Sequence, residues 1–389
     1  MTSKERSAFI LLLLIAIGLW GLVGYRFYHT TWRQPLGPVL ALPIFKPFGS
    51  GNSAPVARPT GPTSTLIPGQ PTRTPYTPEV SGQPKCGGPL TMTILAVGSD
   101  SRGTGYLYGL GDVIRYARVD FVTPRVTVLE FPRDIWVEIP ELDPKHGIDH
   151  GKLNQAYLYG NKGMGYYHGP GEGPGLLART LQHNFGATPQ HYVAANMQTF
   201  VKLVNSVGGI DVVLPHSVDG RKADQPNRLD LYFKAGNHHL NGSQALMLAR
   251  IRQQSTFERA DNQNLVLCAL REALLKPSNV AKLPKIIDAF DNAVQTDLSP
   301  QQISQLACLL PSLEPRNIQF ITFPPEMLTA KRTYDKGVDK DVYIFEADFN
   351  ALRLLVSEFE RGQWPPRVIP SPVTVTPGAS TSESGFICP

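Results

Sequence analysis

The sequence predicts an α/β (α+β) domain with a mixed central β-sheet flanked by helices. Three observations lead there. Strand-length runs such as residues 91–97 and 113–121 recur between stretches of helical period such as 176–185, which is the pattern of a sheet covered by helices. Residues 113–121 and 125–131 flank a turn at Pro124 and read as a hairpin, so part of the sheet is antiparallel. Both flanks of the 389-residue chain are rich in Pro, Ser and Thr, which confines the ordered domain to about 86–362.

The N-terminus is read first. Lys4 and Arg6 precede eighteen residues, 8–25, that carry no charge. At 1.5 Å per residue they span about 27 Å, enough for a bilayer core. A cleaved signal would have a shorter apolar region and a small-residue cleavage site, whereas Arg26, Phe27 and Tyr28 follow here. The expectation is an uncleaved single-pass anchor in the cell membrane, with residues 1–7 cytoplasmic and the rest extracytoplasmic. Residues 26–85 form a spacer, with twelve prolines from Gln34 onward. It is expected to be extended, with Leu40, Leu42, Ile44 and Phe45 able to touch the membrane surface. Residues 363–389 make a second Pro/Ser/Thr-rich tail. A net charge of +5 favours an anionic ligand and is too small to argue for nucleic acid.

Within the domain, strand 91–97 runs into Gly98-Ser99-Asp100-Ser101-Arg102. An Asp just past a buried strand stands where α/β sheets bind ligands. Asp112 follows a Gly-rich loop. Two carboxylates joined by such a loop are candidate ligands for Mg2+, which takes one or two carboxylates plus phosphate oxygens and water. On strand 113–121, Arg115 and Arg118 are three apart and cannot share a face. The hairpin returns into Pro132-Arg133-Asp134, where Arg133 is either a structural ion-pair partner or a phosphate clamp. A short strand is expected at 135–139. His146, Asp149 and His150 lack a further ligand-spaced partner and read as a solvated loop. Residues 159–175 are Gly- and Tyr-rich and read as a mobile flap.

A helix at 176–185, a strand at 191–195, a helix at 197–207 closed by Gly208-Gly209 and a strand at 210–214 come next. A polar loop spans 215–236. Asn241, with Gln244 three residues on, is an N-cap signal for a short buried helix ending near Arg250-Ile251-Arg252. If that triplet is extended, Arg250 and Arg252 share a side. Arg259 precedes a long helix, 260–275. Three arginines at one place fit phosphate oxygens or ordinary salt bridges. Helices at 280–290 and 301–310 (capped by Ser299, with Pro300 in the first turn), a strand at 318–323 and a helix at 345–359 complete the domain. Of the four cysteines, Cys86 and Cys388 flank the domain and are expected to pair; Cys268 and Cys308 lie on apolar helix faces and either pair or stay buried thiols.

From 91 to 275 the order of motifs resembles the LytR-CpsA-Psr family. The pieces are the G-S-D-S-R strand end, the Asp opening the hairpin, P-R-D, K-L-N-x-A-Y from Lys152, the run from Phe200 to Val212, and the block from Leu240 to Gln263. The resemblance implies a mixed sheet enclosing an apolar polyprenyl pocket with a charged mouth. It implies a phosphotransferase that moves a glycopolymer from a polyprenyl-pyrophosphate carrier to a peptidoglycan acceptor during wall assembly. Asp100 and Asp112 would hold Mg2+. Arg133, Lys152, Arg250, Arg252, Arg259 and Gln263 would bind pyrophosphate, with Asp112, Arg133, Arg250 and Arg252 catalytic; Asp112 or Asp134 would take the acceptor proton. The chain departs from the pattern at Leu110 and Asn262, where an Arg is usual, and at Thr256-Phe257-Glu258, where an acidic residue is lost at Thr256 and Glu258 replaces a Gly; Arg115, Arg118 or Arg102 are candidates to replace the missing cation. These departures keep two other readings open, a lipid pyrophosphatase and a non-catalytic polyprenyl-phosphate or cell-wall binding protein.

Overall fold

A computed structural model describes residues 16–43, 82–101, 106, 108–221, 227–251, 256–280, 293–365 and 386–388. Residues 16–27 are helical (α1). Among the described residues no helix is long and apolar enough to cross a membrane; residues 8–15 of the expected anchor lie outside them.

The central sheet has seven strands. Its middle is β1 (Thr91–Ser99), β2 (Gly111–Asp120) and β3 (Arg125–Glu130), a meander of antiparallel neighbours. After the short ribbon of β4 (Trp136–Glu138) and β5 (His150–Lys152), the chain forms α2 (Leu153–Gly160) and α3 (Glu172–Phe185). It then adds β6 (His191–Asn196) parallel to β1. Helix α4 (Met197–Ser206), β7 (Ile210–Leu214), the hairpin of β8 (Val218–Asp219) with β9 (Tyr232–Phe233), and β10 (Gly236–Leu240) lead to α5 (Gly242–Arg250), α6 (Thr256–Leu275) and the single turn α7 (Pro277–Val280). Strand β11 (Val294–Thr296) pairs with β6, α8 (Pro300–Leu309) follows, and β12 (Ile318–Thr322) lies parallel to β3. A hairpin of β13 (Leu328–Asp335) and β14 (Lys340–Ala347) precedes α9 (Phe349–Glu360), and β15 (Phe386–Ile387) closes the sheet order β11-β6-β1-β2-β3-β12-β15.

Strand alternation sorts the side chains. Leu95, Val97, Ile114, Tyr116 and Leu129 face one way and pack on α2, α3 and α9 in the main core with Leu176, Leu181, Phe185, Leu352, Val356 and Phe359. On the opposite face the lower half, Met92, Ile94, Val119 and Val128, is filled by Leu309, Leu313 and Phe320. The upper half of that face carries Ala96, Gly98, Val113 and Arg115 and borders a cavity beneath α4, α5 and α6. Two helix starts follow the sequence signals. Asn241 and Gln244 form a reciprocal capping box on α5, and Ser299 and Gln302 do the same on α8. Gly208 and Gly209 end α4 with φ of 84° and 93°, a region that favours glycine.

Several expectations are corrected. Residues 159–175 are not a flap that stands apart: Tyr159 and Tyr167 are buried in the main core, and 153–160 is helical. Aromatic side chains among the glycines supply the apolar area that composition alone does not reveal. The segment at 345–348 belongs to β14 and the cap of α9, because Phe345 pairs with Ala330 across the hairpin. The start of the expected spacer is packed on the domain. Leu40 is 2 % exposed, and buried Arg179 donates to the Leu40 and Ala41 carbonyls at 2.9 Å each. The rest of the spacer, 44–81, and most of the helix expected at 280–290 lie outside the described residues.

The cysteines pair differently from the expectation. The bonds are Cys86–Cys308 and Cys268–Cys388. The reason is that the tail returns as β15 beside β12, with Phe386 opposite Phe320, which delivers Cys388 to α6 rather than to the start of β1.

Peptide mapping under non-reducing conditions is expected to recover these two linked pairs and no Cys86–Cys388 peptide. Removing either bond is expected to cost about 2–5 kcal/mol, given the long loops it closes, measurable by denaturant unfolding. Arg179→Ala removes the donor to the carbonyls of Leu40 and Ala41, while Pro170 keeps the Tyr167 hydroxyl and Gly175 its place in α3. It is expected to cost about 2–4 kcal/mol and to make 34–43 cleavable in limited proteolysis.

Candidate active site

The cavity lies at the carboxyl ends of the parallel strands β1 and β6, where α/β sheets place ligands. It measures about 510 Å³. Its floor is small and apolar: Ala96, Gly98, Val113, Val193 and Ala195. Its roof is larger: Met197 and Phe200 from α4, Leu246 from α5, and Val266 and Leu267 from α6. Small residues below and large ones above leave space without breaking either packed surface.

Charged and polar side chains share the lining of this space. Asp112, Arg115, Arg133, Arg250, Arg259 and Gln263 all line it. Each is there for a local reason. Asp112 is the second residue of β2. Arg133 follows the end of β3, and its Nη1 donates to Asp112 Oδ1 while its Nε donates to Asp134 Oδ2 at 3.4 Å. The ion-pair reading of Pro132-Arg133-Asp134 therefore holds, and the guanidinium also borders the cavity. Asn154 Nδ2 gives Asp112 a second donor at 3.3 Å. Arg250 is the last residue of α5, where the helix dipole favours a cation, and it is exposed. Arg259 is 6 % exposed and stands one turn before Gln263 on α6, so the two share a face.

The remaining predicted residues are placed differently. Lys152 turns its ammonium to Asp134 Oδ1 at 2.9 Å instead of toward the cavity. Asp134 is 6 % exposed and held between Lys152 and Arg133. Asp100 lies just beyond β1. Its amide donates to the Leu110 carbonyl at 3.1 Å, and its carboxylate accepts from the Leu110 N–H. Asp100, just past the end of β1, and Asp112, at the start of the antiparallel β2, thus lie at the same end of neighbouring strands, and both offer the hard oxygen donors that suit a magnesium ion. Among the described residues no group of three or more His, Cys, Asp or Glu is placed to hold a metal, so an ion here would take its other ligands from water and substrate. Arg252 lies outside the described residues. The His146–His150 loop carries only local contacts, a ring contact between His146 and Tyr166 and a His150–Asp149 pair at 3.1 Å.

Sequence reasoning missed the partners of Arg115. This guanidinium is 3 % exposed; Nη1 donates to Asn264 Oδ1 at 2.6 Å, and Nη2 donates to Glu130 at 3.1 Å and Gln263 at 3.2 Å. Burial lowers its pKa, and the nearby Glu130 carboxylate opposes that shift; arginine keeps its charge regardless. The signal that could have found Glu130 was the hairpin register, since Asp120 opposite Arg125 places Arg115 opposite Glu130.

Comparison with known proteins agrees with this architecture. Residues 72–349 match the model of the LytR_cpsA_psr family. The regulatory protein MsrR of Staphylococcus aureus is 27% identical over 272 residues, covering 69% of this chain and 74% of MsrR. The Bacillus subtilis polyisoprenyl-teichoic acid–peptidoglycan teichoic acid transferase TagV is 30% identical over 213 residues, 53% of this chain and 50% of TagV. The crystal structure of B. subtilis TagV superposes with a TM-score of 0.51 at 26% identity, covering 69% of this chain and 97% of that one. A match over most of the chain, joined to the same mixed sheet flanked by helices, shows that this protein belongs to the LytR_cpsA_psr family.

Proposed function

We propose that the protein is a membrane-anchored phosphotransferase that moves a glycopolymer from a polyprenyl-pyrophosphate carrier to peptidoglycan during cell-wall assembly. The observation that carries this reading is one cavity whose lining joins apolar side chains and arginines. An isoprenoid tail needs the first, and a pyrophosphate diester with two negative charges needs the second. TagV, named for transfer of teichoic acid from a polyisoprenyl carrier to peptidoglycan, supports the same chemistry.

In this reading Arg133, Arg250, Arg252, Arg259 and Gln263 grip the pyrophosphate, and Lys152 orients Asp134 behind them. The acceptor hydroxyl attacks the sugar-bearing phosphorus. The bond from that phosphorus to the bridging oxygen breaks, and polyprenyl phosphate leaves. Asp112 takes the hydroxyl proton, since it borders the cavity while Asp134 is buried between two cations. The residues fit a magnesium ion held by Asp100 and Asp112, which when bound would neutralise pyrophosphate charge. Along the chain, 1–7 would be cytoplasmic, 8–25 the anchor and 86–362 the body of the catalytic domain, to which the spacer (26–85) adds its start around Leu40 and the tail (363–389) adds β15 and Cys388.

The test mixes the full chain in detergent with a polyprenyl-pyrophosphate-linked oligosaccharide and a short peptidoglycan acceptor, followed by mass spectrometry. A sugar-phosphate adduct on the acceptor is expected. It should fall by about 100- to 1000-fold in Arg250→Ala, the usual cost of losing one donor to transition-state charge, and be lost on chelation of magnesium. Free phosphorylated sugar would indicate a pyrophosphatase, and bound lipid without product a binding protein; either would overturn the transferase reading.

A further inference from the structure

The chain between the expected anchor and the sheet is short and committed. Helix α1 continues into a further helical turn, Tyr28–Trp32, with no break in its backbone. That turn touches α8, and Arg33, which follows it, donates from Nε to Gln301 Oε1 at 3.2 Å. With 8–25 across the bilayer, residues 26–33 rise about 12 Å beyond the hydrocarbon core, and the headgroup layer takes up about half of that. The first turn of α8 therefore begins close above the headgroups.

Nothing after Arg33 adds slack. The Leu36 amide donates to the Leu298 carbonyl at 3.2 Å. Gly37 passes so near β11 that a Cβ there would lie 2.7 Å from the Thr296 carbonyl oxygen. Leu40 enters the main core, Arg179 takes the carbonyls of Leu40 and Ala41, and Gln182 Nε2 donates to the Pro43 carbonyl at 3.0 Å. At Lys85 the chain is again on the domain, where its amide donates to the Phe121 carbonyl at 2.9 Å. Pro43 and Lys85 are both held by the domain, so the Pro-rich residues between them do not set its distance from the membrane.

The face nearest the anchor is a groove of about 670 Å³, lined by Arg33, Pro35 and Val39 of this strap, by Pro89, and by Gln301 and Gln302 of α8. Its rim is apolar: Val39 is 48 % exposed, and Leu36 and Leu90, next in sequence to lining residues, are 57 % and 56 % exposed. Arg33 is exposed, whereas the one carboxylate in the lining, that of Asp297, is buried and accepts from the Tyr192 amide at 2.8 Å. Exposed apolar side chains with a cation and no exposed anion suit the headgroup level of an anionic leaflet. Thr91 and Met92 at the start of β1 line this groove, while Val97, Gly98 and Ser99 at its end line the catalytic cavity. The two are separated by the length of the strand, about 26 Å at 3.3 Å per residue.

We propose that this face rests on the extracytoplasmic leaflet of the membrane, held there by the strap 34–43, with the catalytic cavity at the end of the domain away from the lipid. The proposal rests on the anchor reading of 8–25. It makes the lipid surface a binding partner of the domain itself, and it replaces a domain lifted on a Pro-rich spacer with one clamped to the bilayer.

The test uses the full chain in vesicles of phosphatidylglycerol and phosphatidylcholine that include a lipid with a nitroxide on its headgroup. All four native cysteines are in disulfides, so a fluorophore on one introduced cysteine reports a single site. Labelled Val39→Cys and Leu90→Cys are expected to lose fluorescence to the nitroxide. Labelled Tyr108→Cys, 60 % exposed on the loop between β1 and β2 at the other end of the strand, is expected to keep it. Adding Gly37→Val, which prevents the strap from seating, or Arg179→Ala, which frees its inner end, is expected to restore the fluorescence of the Leu90 site while the protein still floats with the vesicles. Equal quenching at all three sites, no quenching at 39 and 90, or quenching at 90 that survives both strap variants would overturn the proposal. A chain that fails to float with vesicles at all would instead sink the anchor reading, and the proposal with it.

Discussion

The alternation of side chains along β1 and β2 is the constraint on which the rest of this structure depends. Leu95, Val97, Ile114 and Tyr116 must point one way, so Ala96, Gly98, Val113 and Arg115 must point the other. The first set is large and builds the main core with α2, α3 and α9. The second set is small except for Arg115. It cannot fill the distance to α4, α5 and α6, whose inward residues Phe200, Leu246 and Val266 bridge only part of the gap. A slip of one residue between β1 and β2 would bury the small set in the core and expose the large one. The same alternation therefore fixes both the stability of the domain and the existence of its cavity.

Charge around the cavity is arranged so that few cations are left to compete with structure. Arg133 is shared by Asp112 and Asp134, Lys152 by Asp134, and Arg115 by Glu130. Pairing of this kind holds long side chains in place before any ligand arrives, which is what charge stabilisation in phosphoryl transfer requires. Arg250 and Arg259 stand on either side of a break between two helices. Ile251, buried at 5 % exposure and extended at ψ of 136°, pins that break, so the two arginines approach the cavity from different elements.

Two distant parts of the chain brace this arrangement. Cys268–Cys388 ties the roof helix α6 to the last sheet strand, and Cys86–Cys308 ties the entry to β1 to α8. Leu40 and the carbonyls around it are held by Arg179 on α3. All three connections are long-range, so they act on loop entropy that local propensity cannot touch.

Sequence alone determined the strands of the central meander and the capped helices α5 and α8, because period, capping and turn chemistry are local; the candidate site residues were grouped by resemblance to a family's motifs. Asn241 with Gln244 and Ser299 with Gln302 needed no partner from elsewhere to be recognised. The hairpin register that joins Arg115 to Glu130 was also present, in the spacing around Pro124, and went unread. Only the tertiary structure decided that Tyr159 and Tyr167 would be buried, that Leu40 would enter the core, that Cys388 would meet Cys268, and that Lys152 would turn to Asp134. The first three depend on two segments more than a hundred residues apart or on area buried by a neighbour, and the last on the pairing of β4 with β5, which sets Lys152 opposite Trp136 and near Asp134. Nothing in the local chain records where such a neighbour will be.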